Sequence, residues 1–310
     1  MTTLRTSVQD YLTMRRGLGF KLHDAGVGLL DFVAFMERRR AARITMDLAL
    51  ERATKSKAAQ PAAWARRLSF VRGFARYRSA IDPRTQIPPA GLLPYRPQRA
   101  RPYIYTEQEI ERLLTAARSL RPVSGLRGWT YYALFGLLSV SGLRISEALN
   151  LKLTDLDLRE SVLTIENTKF GKSRLVPLHA STLNVLSDYL RRRKRFLAGR
   201  PASHLFVSST GNRLDLGAVH RTFYALSRQI GLRGPSASHG PRLHDFRHRF
   251  AVQTLLNWYR GRQEIETRLP ILSTYLGHVH VSDTYWYLSA HPELLGQAVN
   301  RLERYWEGAS

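Results

Sequence analysis

The sequence predicts a mainly α-helical protein of two domains, the second of which also contains a small antiparallel β-sheet. Apolar residues recur at helical spacing through most of the chain, and its 310 residues are enough for two domains. The periodic pattern is interrupted at residues 81–103, which contain six prolines. We therefore expect a helical N-terminal domain at 1–95, a linker at 96–102 and a second domain at 103–310.

Two amphipathic segments predict the helices of the N-terminal domain. Residues 27–40 place apolar side chains at helical spacing and end in arginines, which suit the negative end of a helix dipole. Residues 61–80 begin with Pro61, which is favoured in the first turn of a helix, and then alternate aromatic residues with arginines. A solvated charged face is one interpretation of these arginines. Because nearly all the charge has one sign, we favour contacts with phosphates. The candidates are Arg66, Arg67, Arg72 and Arg76.

The second domain is predicted to open with a helix at 106–120, where Thr106 and Glu109 match a capping box. Residues 129–143 predict an apolar core helix that ends at Gly142 and is too short to span a bilayer. Residues 161–178 contain two strand-like runs around a glycine-containing turn, which predicts a β-hairpin. Further helices are expected at 180–198, 215–230, 244–259, 264–275 and 293–305.

The net charge of +24 predicts a polyanionic partner, for which nucleic acid is the first candidate. An anionic membrane surface is the second candidate, but the sequence has no basic amphipathic anchor and no apolar span of membrane length. The first 102 residues carry +13 and the remainder +11, a distribution that suits a protein enclosing its partner. The N-terminus lacks an apolar signal core, and the absence of cysteine permits a reducing compartment.

Four segments of the second domain resemble, in this order and spacing, the tyrosine recombinase (phage integrase-like) family of site-specific DNA recombinases. They are SGLRISEALNLKLTDLD (141–157), TKFGKSRLVPL (168–178), LHDFRHRFA (243–251) and LGHVHVSDTYWYL (276–288). The resemblance covers most of residues 103–290, and the basic helical N-terminal part is similar to that family's core-binding domain. The residues between His278 and Tyr287 suggest a transposon-type or integrating-element subgroup.

The resemblance implies six catalytic residues, each from one motif position. Tyr287 lies nine residues after His278 and matches the nucleophile, whereas Tyr285 lies two residues too early. We expect Tyr285 and Trp286 to pack around Tyr287. The implied catalytic set is Arg144, Lys169, His244, Arg247, His278 and Tyr287.

The residue types suit cleavage of a phosphodiester. Two arginines can bind the non-bridging oxygens of a highly anionic transition state. A deprotonated tyrosine can attack the phosphorus, and a lysine can protonate the leaving 5′-oxygen. His244 or His278 can take and return the tyrosine proton near neutral pH. This set requires no metal or other cofactor, and no ATP because the covalent link conserves the bond energy. The resemblance implies a 3′-phosphotyrosyl intermediate.

Two positions leave alternatives open. Lys172 shares the predicted turn with Lys169, and motif register favours Lys169 as the catalytic lysine; Lys172 is then a candidate DNA contact. Glu147 could serve as an acid, but we expect it to be a structural partner of a nearby basic group.

A zinc site is the competing interpretation of the histidine pair in LHDFRHRFA. His244 and His248 are four residues apart, as in helical zinc sites. However, Asp245 stands where such sites use glutamate, and Arg247 would repel a dication. We therefore disfavour metal binding.

The predicted function is site-specific recombination of double-stranded DNA, held between the two basic domains. The resemblance implies four protomers on two duplexes, and sister recombinases or a host DNA-bending protein are further candidate partners. We expect no membrane partner and a bacterial, cytoplasmic, nucleoid-associated location. The segment after Tyr287 predicts an amphipathic helix, expected to contact a neighbouring protomer rather than its own domain. The alternative functions are a type IB-like nicking-closing enzyme and a non-catalytic DNA-binding accessory protein.

Overall fold

The computed structural model describes residues 3–56, 60–93, 101–122, 125–166, 173–261 and 263–307. The chain divides into two compact units, Met1–Ala100 and Arg101–Ser310. Helices dominate both, and the described strands form one small antiparallel sheet in the second unit, so the predicted fold class is confirmed. Most of the predicted linker, 96–102, lies outside the described residues.

The first unit consists of helices packed around an apolar core of aliphatic and phenylalanine side chains. Thr3 and Thr45 cap their helices through side-chain hydroxyls, and Pro61 occupies the first turn as expected. Phe32, Phe35 and Phe74 are among the fully buried residues. The helices are α1 (Leu4–Gly17), α2 (His23–Arg38), α3 (Met46–Thr54) and α4 (Pro61–Ser79).

The beginning of the proline-rich stretch belongs to this unit. The backbone N–H of Gln86 donates to the carbonyl of Ile44, at 3.0 Å. The Arg72 guanidinium donates to the carbonyls of Pro88 and Pro89, at 2.7 and 2.8 Å. Residues 81–93 are therefore attached to the helices rather than extended away from them.

The helices of the second unit surround two apolar clusters, a larger one within residues 105–246 and a smaller one within residues 251–294. Its helices are α5 (Glu107–Arg118), α6 (Arg127–Ser141), α7 (Ile145–Asn150), α8 (Ala180–Leu197), α9 (Leu216–Gln229), α10 (Asp245–Arg260), α11 (Ile265–Leu276), α12 (Ser282–Ala290) and α13 (Pro292–Glu307). The strands are β1 (Leu156–Asp157), β2 (Val162–Ile165) and β3 (Arg174–Pro177), in the order β1-β2-β3. A short 3₁₀ helix, Leu153–Asp155, precedes β1.

Several predicted features are present in this unit. The capping box of Thr106 and Glu109 starts α5, and the buried helix α6 ends at Gly142, whose φ is 60°. Strands β2 and β3 pair antiparallel, with Leu163 opposite Val176, which confirms the hairpin; its turn lies outside the described residues. The sequence patterns did not predict α7, β1 or α12.

The C-terminal helix α13 packs on α10 and α12 of its own chain. Leu294 is buried there, and Arg260 forms an ion pair with Glu293 at 2.7 Å. Helix α13 thus packs on its own domain, which is the alternative that the sequence analysis did not favour. A contact of this helix with a neighbouring protomer stays a prediction. Within the described ranges, no helix combines the length and apolar character needed to cross a bilayer.

Candidate active site

Arg144 and Arg247 converge on the C-terminal end of helix α11. Arg247 is 1% exposed; its Nη1 donates to the carbonyl of Gly142 at 2.9 Å, and its Nη2 donates to that of Leu276 at 2.5 Å. Arg144 precedes α7, and its Nη2 donates to the carbonyl of Gly277 at 3.0 Å. The last carbonyls of a helix carry partial negative charge, so this helix end holds both guanidinium groups.

Two glycines permit this approach. Gly142 and Gly277 have φ values of 60° and 68°, in the left-handed region where glycine is favoured. A Cβ at Gly277 would lie 2.9 Å from Nη1 of Arg174, and one at Gly142 would lie 2.6 Å from the Phe250 ring. Gly277 of the LGH motif therefore leaves room for the arginines, and Gly142 of the SGLR motif leaves room for the Phe250 ring.

Glu147 joins Arg144 to a third arginine, Arg174 of strand β3. Its Oε1 accepts from Arg144 Nη1 at 2.8 Å, while its Oε2 accepts from Arg174 Nη2 at 2.8 Å and from the backbone N–H of Arg144 at 2.9 Å. Arg174 also donates through Nε to the carbonyl of Tyr275, at 2.7 Å. The expectation that Glu147 is a structural partner of basic groups is confirmed.

Burial and neighbouring charges leave the pKa values of both Arg247 and Glu147 below their ordinary values. Burial, followed by the charge of Arg144, lowers the pKa of Arg247 to about 10, against an opposing effect of Tyr287 and Glu147. Burial pushes the pKa of Glu147 upward, but hydrogen bonds and charge from Arg174 and Arg144 outweigh it, so the net pKa is lowered. At neutral pH the cluster therefore contains three cations and one carboxylate.

Tyr287 lies on α12 with 1% of its surface exposed. Its hydroxyl is 3.3 Å from Nδ1 of His248 on α10, which is itself buried. The Trp286 ring lies 5.3 Å from the Tyr287 ring and the same distance from the His248 ring, so Trp286 packs around Tyr287 as expected. Tyr285, in contrast, is 50% exposed, because residues two apart on a helix point to nearly opposite sides.

His278 follows α11 and is joined to α12 by a hydrogen bond. Its Nδ1 lies 2.7 Å from the hydroxyl of Thr284, which is fully buried. The His278 ring stacks on the Tyr287 ring, with centroids 6.2 Å apart and planes at 19°. One hydroxyl group therefore couples the orientation of His278 to the helix that carries Tyr287.

His244 occupies the N-cap position of α10, and its ring meets the His248 ring edge-on at 4.6 Å. Desolvation of the imidazole, followed by the charge of Arg247, lowers the pKa of His244 to about 4, although the residue keeps exposed surface. The direction of this shift leaves His244 neutral at pH 7. We find no group of three or more His, Asp or Glu residues within the described ranges that could hold a metal ion.

Comparison with known proteins identifies the family. The model of the phage integrase family matches residues 104–293. The protein y4rB of Sinorhizobium fredii (strain NBRC 101917 / NGR234), whose name describes it as an integrase/recombinase, is 62% identical over 311 residues, covering 99% of each chain. The chain belongs to the phage integrase family. Members are DNA strand-transfer enzymes, so the predicted family and enzyme class are confirmed.

More distant integrases share the sequence or the fold. Tyrosine recombinase XerD of Mycobacterium tuberculosis (strain ATCC 25618 / H37Rv) is 29% identical over 247 residues, covering 79% of this chain and 73% of XerD. The Tn1549 transposon integrase in complex with transposon right end DNA has a TM-score of 0.66 at 17% identity, covering 96% and 98% of the two chains. XerH bound to palindromic difH has a TM-score of 0.65 at 20% identity, covering 90% and 79%.

The remaining predicted site residues are two lysines of the hairpin turn and four arginines of the first unit. Lys169 and Lys172 lie outside the described residues. In the first unit, Arg66 and Arg76 are exposed, and Arg66 lies 3.4 Å from Asp24. Arg67 donates to the carbonyl of Ala53 at 3.4 Å, and Arg72 holds the proline-rich stretch. Their contacts with DNA stay predictions.

The integrase site also contains residues that the sequence motifs did not identify as part of the site. Arg174 lies in the segment TKFGKSRLVPL, and strand alternation places it on the inward face of β3 with Val176. An arginine on an inward face requires a partner. The spacing of His248 from His244 indicates only a zinc ligand. No local pattern marks Thr284, because its contact with His278 depends on the unpredicted helix α12.

Proposed function

We propose that this integrase is a site-specific DNA recombinase whose Tyr287 attacks a DNA phosphate and forms a 3′-phosphotyrosyl intermediate. The observation that carries the proposal is the convergence of Arg144 and Arg247 at the end of α11, within electrostatic reach of Tyr287. A guanidinium has five N–H donors, and the contacts of Arg247 with Gly142 and Leu276 use two of them. Donors therefore remain for the oxygens of a bound phosphate.

The chemistry of cleavage follows from these groups. The arginines hold fixed positive charge where the phosphorane develops negative charge, which favours the transition state over the ground state. The Tyr287 oxygen forms a bond to phosphorus while the bond to the 5′-oxygen breaks. We assign the protonation of that leaving oxygen to Lys169. Rejoining runs the same steps backwards with a 5′-hydroxyl of another strand, and no metal or ATP takes part.

A nucleophile that is 1% exposed must become accessible before it reacts. Helix α12 contributes Tyr287, Trp286 and Thr284 to the interior of the site. We propose that DNA binding opens the site so that the phosphate reaches the Tyr287 hydroxyl while Tyr287 keeps its contact with His248. The DNA-free structure then corresponds to a resting state that avoids unwanted cleavage.

The proposed substrate is double-stranded DNA bound by both basic units, with four protomers acting on two duplexes. The charge of +24 supports binding of a polyanion. The exposed Arg66 and Arg76 are proposed phosphate contacts, together with Arg67, Arg72 and Lys172. Lambda integrase has been crystallised as a dimer bound to a core site, which is a precedent of the same fold for assembly on DNA. Sister recombinases and a host DNA-bending protein remain candidate partners.

Covalent capture tests the proposal. Wild-type protein, Tyr287→Phe and Tyr285→Phe are produced in cells that carry the native element, and the cells are lysed rapidly in detergent. We expect DNA attached to wild type and to Tyr285→Phe but not to Tyr287→Phe, and the attached DNA gives the target site by sequencing. Adducts that persist in Tyr287→Phe and disappear in Tyr285→Phe would move the nucleophile to Tyr285.

A matched pair of lysine variants tests the proposed general acid. Lys169→Ala should lose cleavage, whereas Lys172→Ala should keep it and bind DNA more weakly. A substrate whose bridging 5′-oxygen is replaced by sulfur needs no protonation of its leaving group. It should therefore restore cleavage by Lys169→Ala. If the sulfur substrate rescues Lys172→Ala instead, the two roles are reversed.

A further inference from the structure

The Tyr287 hydroxyl has a buried imidazole beside it that the family resemblance did not assign. His248 Nδ1 lies 3.3 Å from this oxygen, which is within hydrogen-bonding distance. His248 is 5% exposed and Tyr287 is 1% exposed, so the contact is shielded from water. A tyrosine hydroxyl is a poor nucleophile until a base takes its proton.

The two histidines named from the motifs are less well placed for this task. His278 uses its Nδ1 in the contact with Thr284, and its ring stacks parallel to the tyrosine ring. His244 has a pKa of about 4, which makes its neutral form a weak base at pH 7.

His248 has an arrangement that suits proton transfer. Its ring is inclined to the Tyr287 ring by 61°, with centroids 5.6 Å apart, so its edge faces the tyrosine. His244 and Trp286 pack against the same imidazole, at centroid distances of 4.6 and 5.3 Å, and restrict its orientation. An aromatic cage of this kind holds a base in one rotamer, which keeps its nitrogen directed at the nucleophile.

We propose that His248 accepts the Tyr287 proton through Nδ1 when strand cleavage begins and returns it when the strands rejoin. This proposal rests on the function proposed above. In the forward step, the Tyr287 oxygen bonds to phosphorus, its proton passes to His248, and the 5′-oxygen leaves with a proton from the general acid. In the reverse step, the incoming 5′-hydroxyl gives its proton back to the deprotonated general acid and its oxygen bonds to phosphorus, while the bond from phosphorus to the Tyr287 oxygen breaks and that oxygen takes its proton back from the His248 imidazolium. His248 must therefore start as the tautomer with its proton on Nε2.

Two substitutions separate proton transfer from mere positioning. In His248→Asn the side-chain amide occupies roughly the place of Nδ1 and keeps a hydrogen bond to Tyr287, but it cannot accept the proton. His248→Gln has an amide near the place of Nε2 and serves as a second variant of different shape. Both are measured on a nicked suicide substrate built from the captured target site, after circular dichroism and DNA affinity have shown that fold and binding are retained.

We expect both variants to form the covalent adduct at least about 100-fold more slowly than wild type, at unchanged DNA affinity. Difluorotyrosine at position 287 is more acidic and depends less on a base, so it should reduce the loss to less than about tenfold. A structural role of His248 would not be bypassed in this way. A wild-type rate in His248→Asn, or a loss that difluorotyrosine leaves unchanged, overturns the proposal. If wild type itself forms no Tyr287-dependent adduct, the proposed function fails first.

Discussion

Replacement of Glu147 by glutamine should destabilise the second unit through the charges that it leaves unpaired. The carboxylate accepts hydrogen bonds from two arginines and one backbone N–H, and its side chain is 6% exposed. Removing one partner of a buried ion pair costs about 3–5 kcal/mol. The Arg144 side chain is 25% exposed, so water can partly solvate it. We therefore expect Glu147→Gln to lower the free energy of unfolding by about 3 kcal/mol. This is a large part of the roughly 5–15 kcal/mol by which a domain is stable.

Urea unfolding of the full-length chain measures this effect. Four of the five tryptophans, Trp129, Trp258, Trp286 and Trp306, lie in the second unit, so fluorescence reports mainly on its unfolding. With an m-value of about 3 kcal/mol per M, the midpoint of Glu147→Gln should fall by about 1 M. Glu111→Gln, at an exposed position of α5, is the control and should stay within about 0.5 kcal/mol of wild type.

The pH dependence of the same variant provides an independent check. The pKa of Glu147 in the folded protein lies below its ordinary value of 4.5. The stability that the carboxylate contributes is therefore fully present above pH 4.5, and it is lost as the pH falls through the folded-state pKa. The difference in the free energy of unfolding between wild type and Glu147→Gln should be constant from pH 7 to about 5.5. It should shrink towards zero as the pH falls below 4.5. A difference below 0.5 kcal/mol at pH 7, or one that grows on acidification, would refute the reasoning.

Four further results are expected. Tetranitromethane should nitrate Tyr285, which is 50% exposed, well before Tyr287, which is 1% exposed, as peptide mass spectrometry can show; equal rates would contradict the buried resting state. Gly277→Ala should abolish cleavage because its Cβ would lie 2.9 Å from a guanidinium, whereas Gly231→Ala, with a φ of 78° and open space, should cost only about 1–2 kcal/mol of stability. Inorganic phosphate should raise the unfolding midpoint of wild type more than that of Arg144→Gln, and equal shifts would place the bound anion elsewhere. The logarithm of DNA affinity should fall linearly with the logarithm of salt concentration, with a slope of about −0.9 per phosphate contact, and a flat dependence would exclude the phosphate-contact mode.

Most of the fold could be predicted because the boundaries of many helices are marked by residues close in sequence. A capping box at Thr106, a proline at position 61 and a left-handed glycine at position 142 each mark a helix boundary through nearby residues alone. Helix α12 could not be predicted because its nine residues, SDTYWYLSA, do not separate polar and apolar side chains onto two helix faces. Its boundaries depend instead on packing against α10, α11 and α13, which a local pattern does not contain.

The site was predictable only to the extent that motifs mark it. Family resemblance named Arg144, Arg247 and Tyr287, and the structure brings them to one region. It gave no information on what neutralises or orients them, because those contacts join distant parts of the chain. The bond from Arg174 to Glu147 spans 27 residues, and that from His248 to Tyr287 spans 39.

The electrostatic balance of the site explains why so many cations can meet in a protein interior. Arg144, Arg174 and Arg247 contribute three positive charges, Glu147 removes one, and the end of α11 contributes about half a negative charge. A surplus of roughly 1.5 positive charges remains at neutral pH. In the proposed reaction, a DNA phosphate brings one negative charge in the ground state, and further negative charge develops on its oxygens as Tyr287 attacks. The cluster therefore becomes better compensated as the reaction advances, which is the condition for stabilising a transition state more than a substrate.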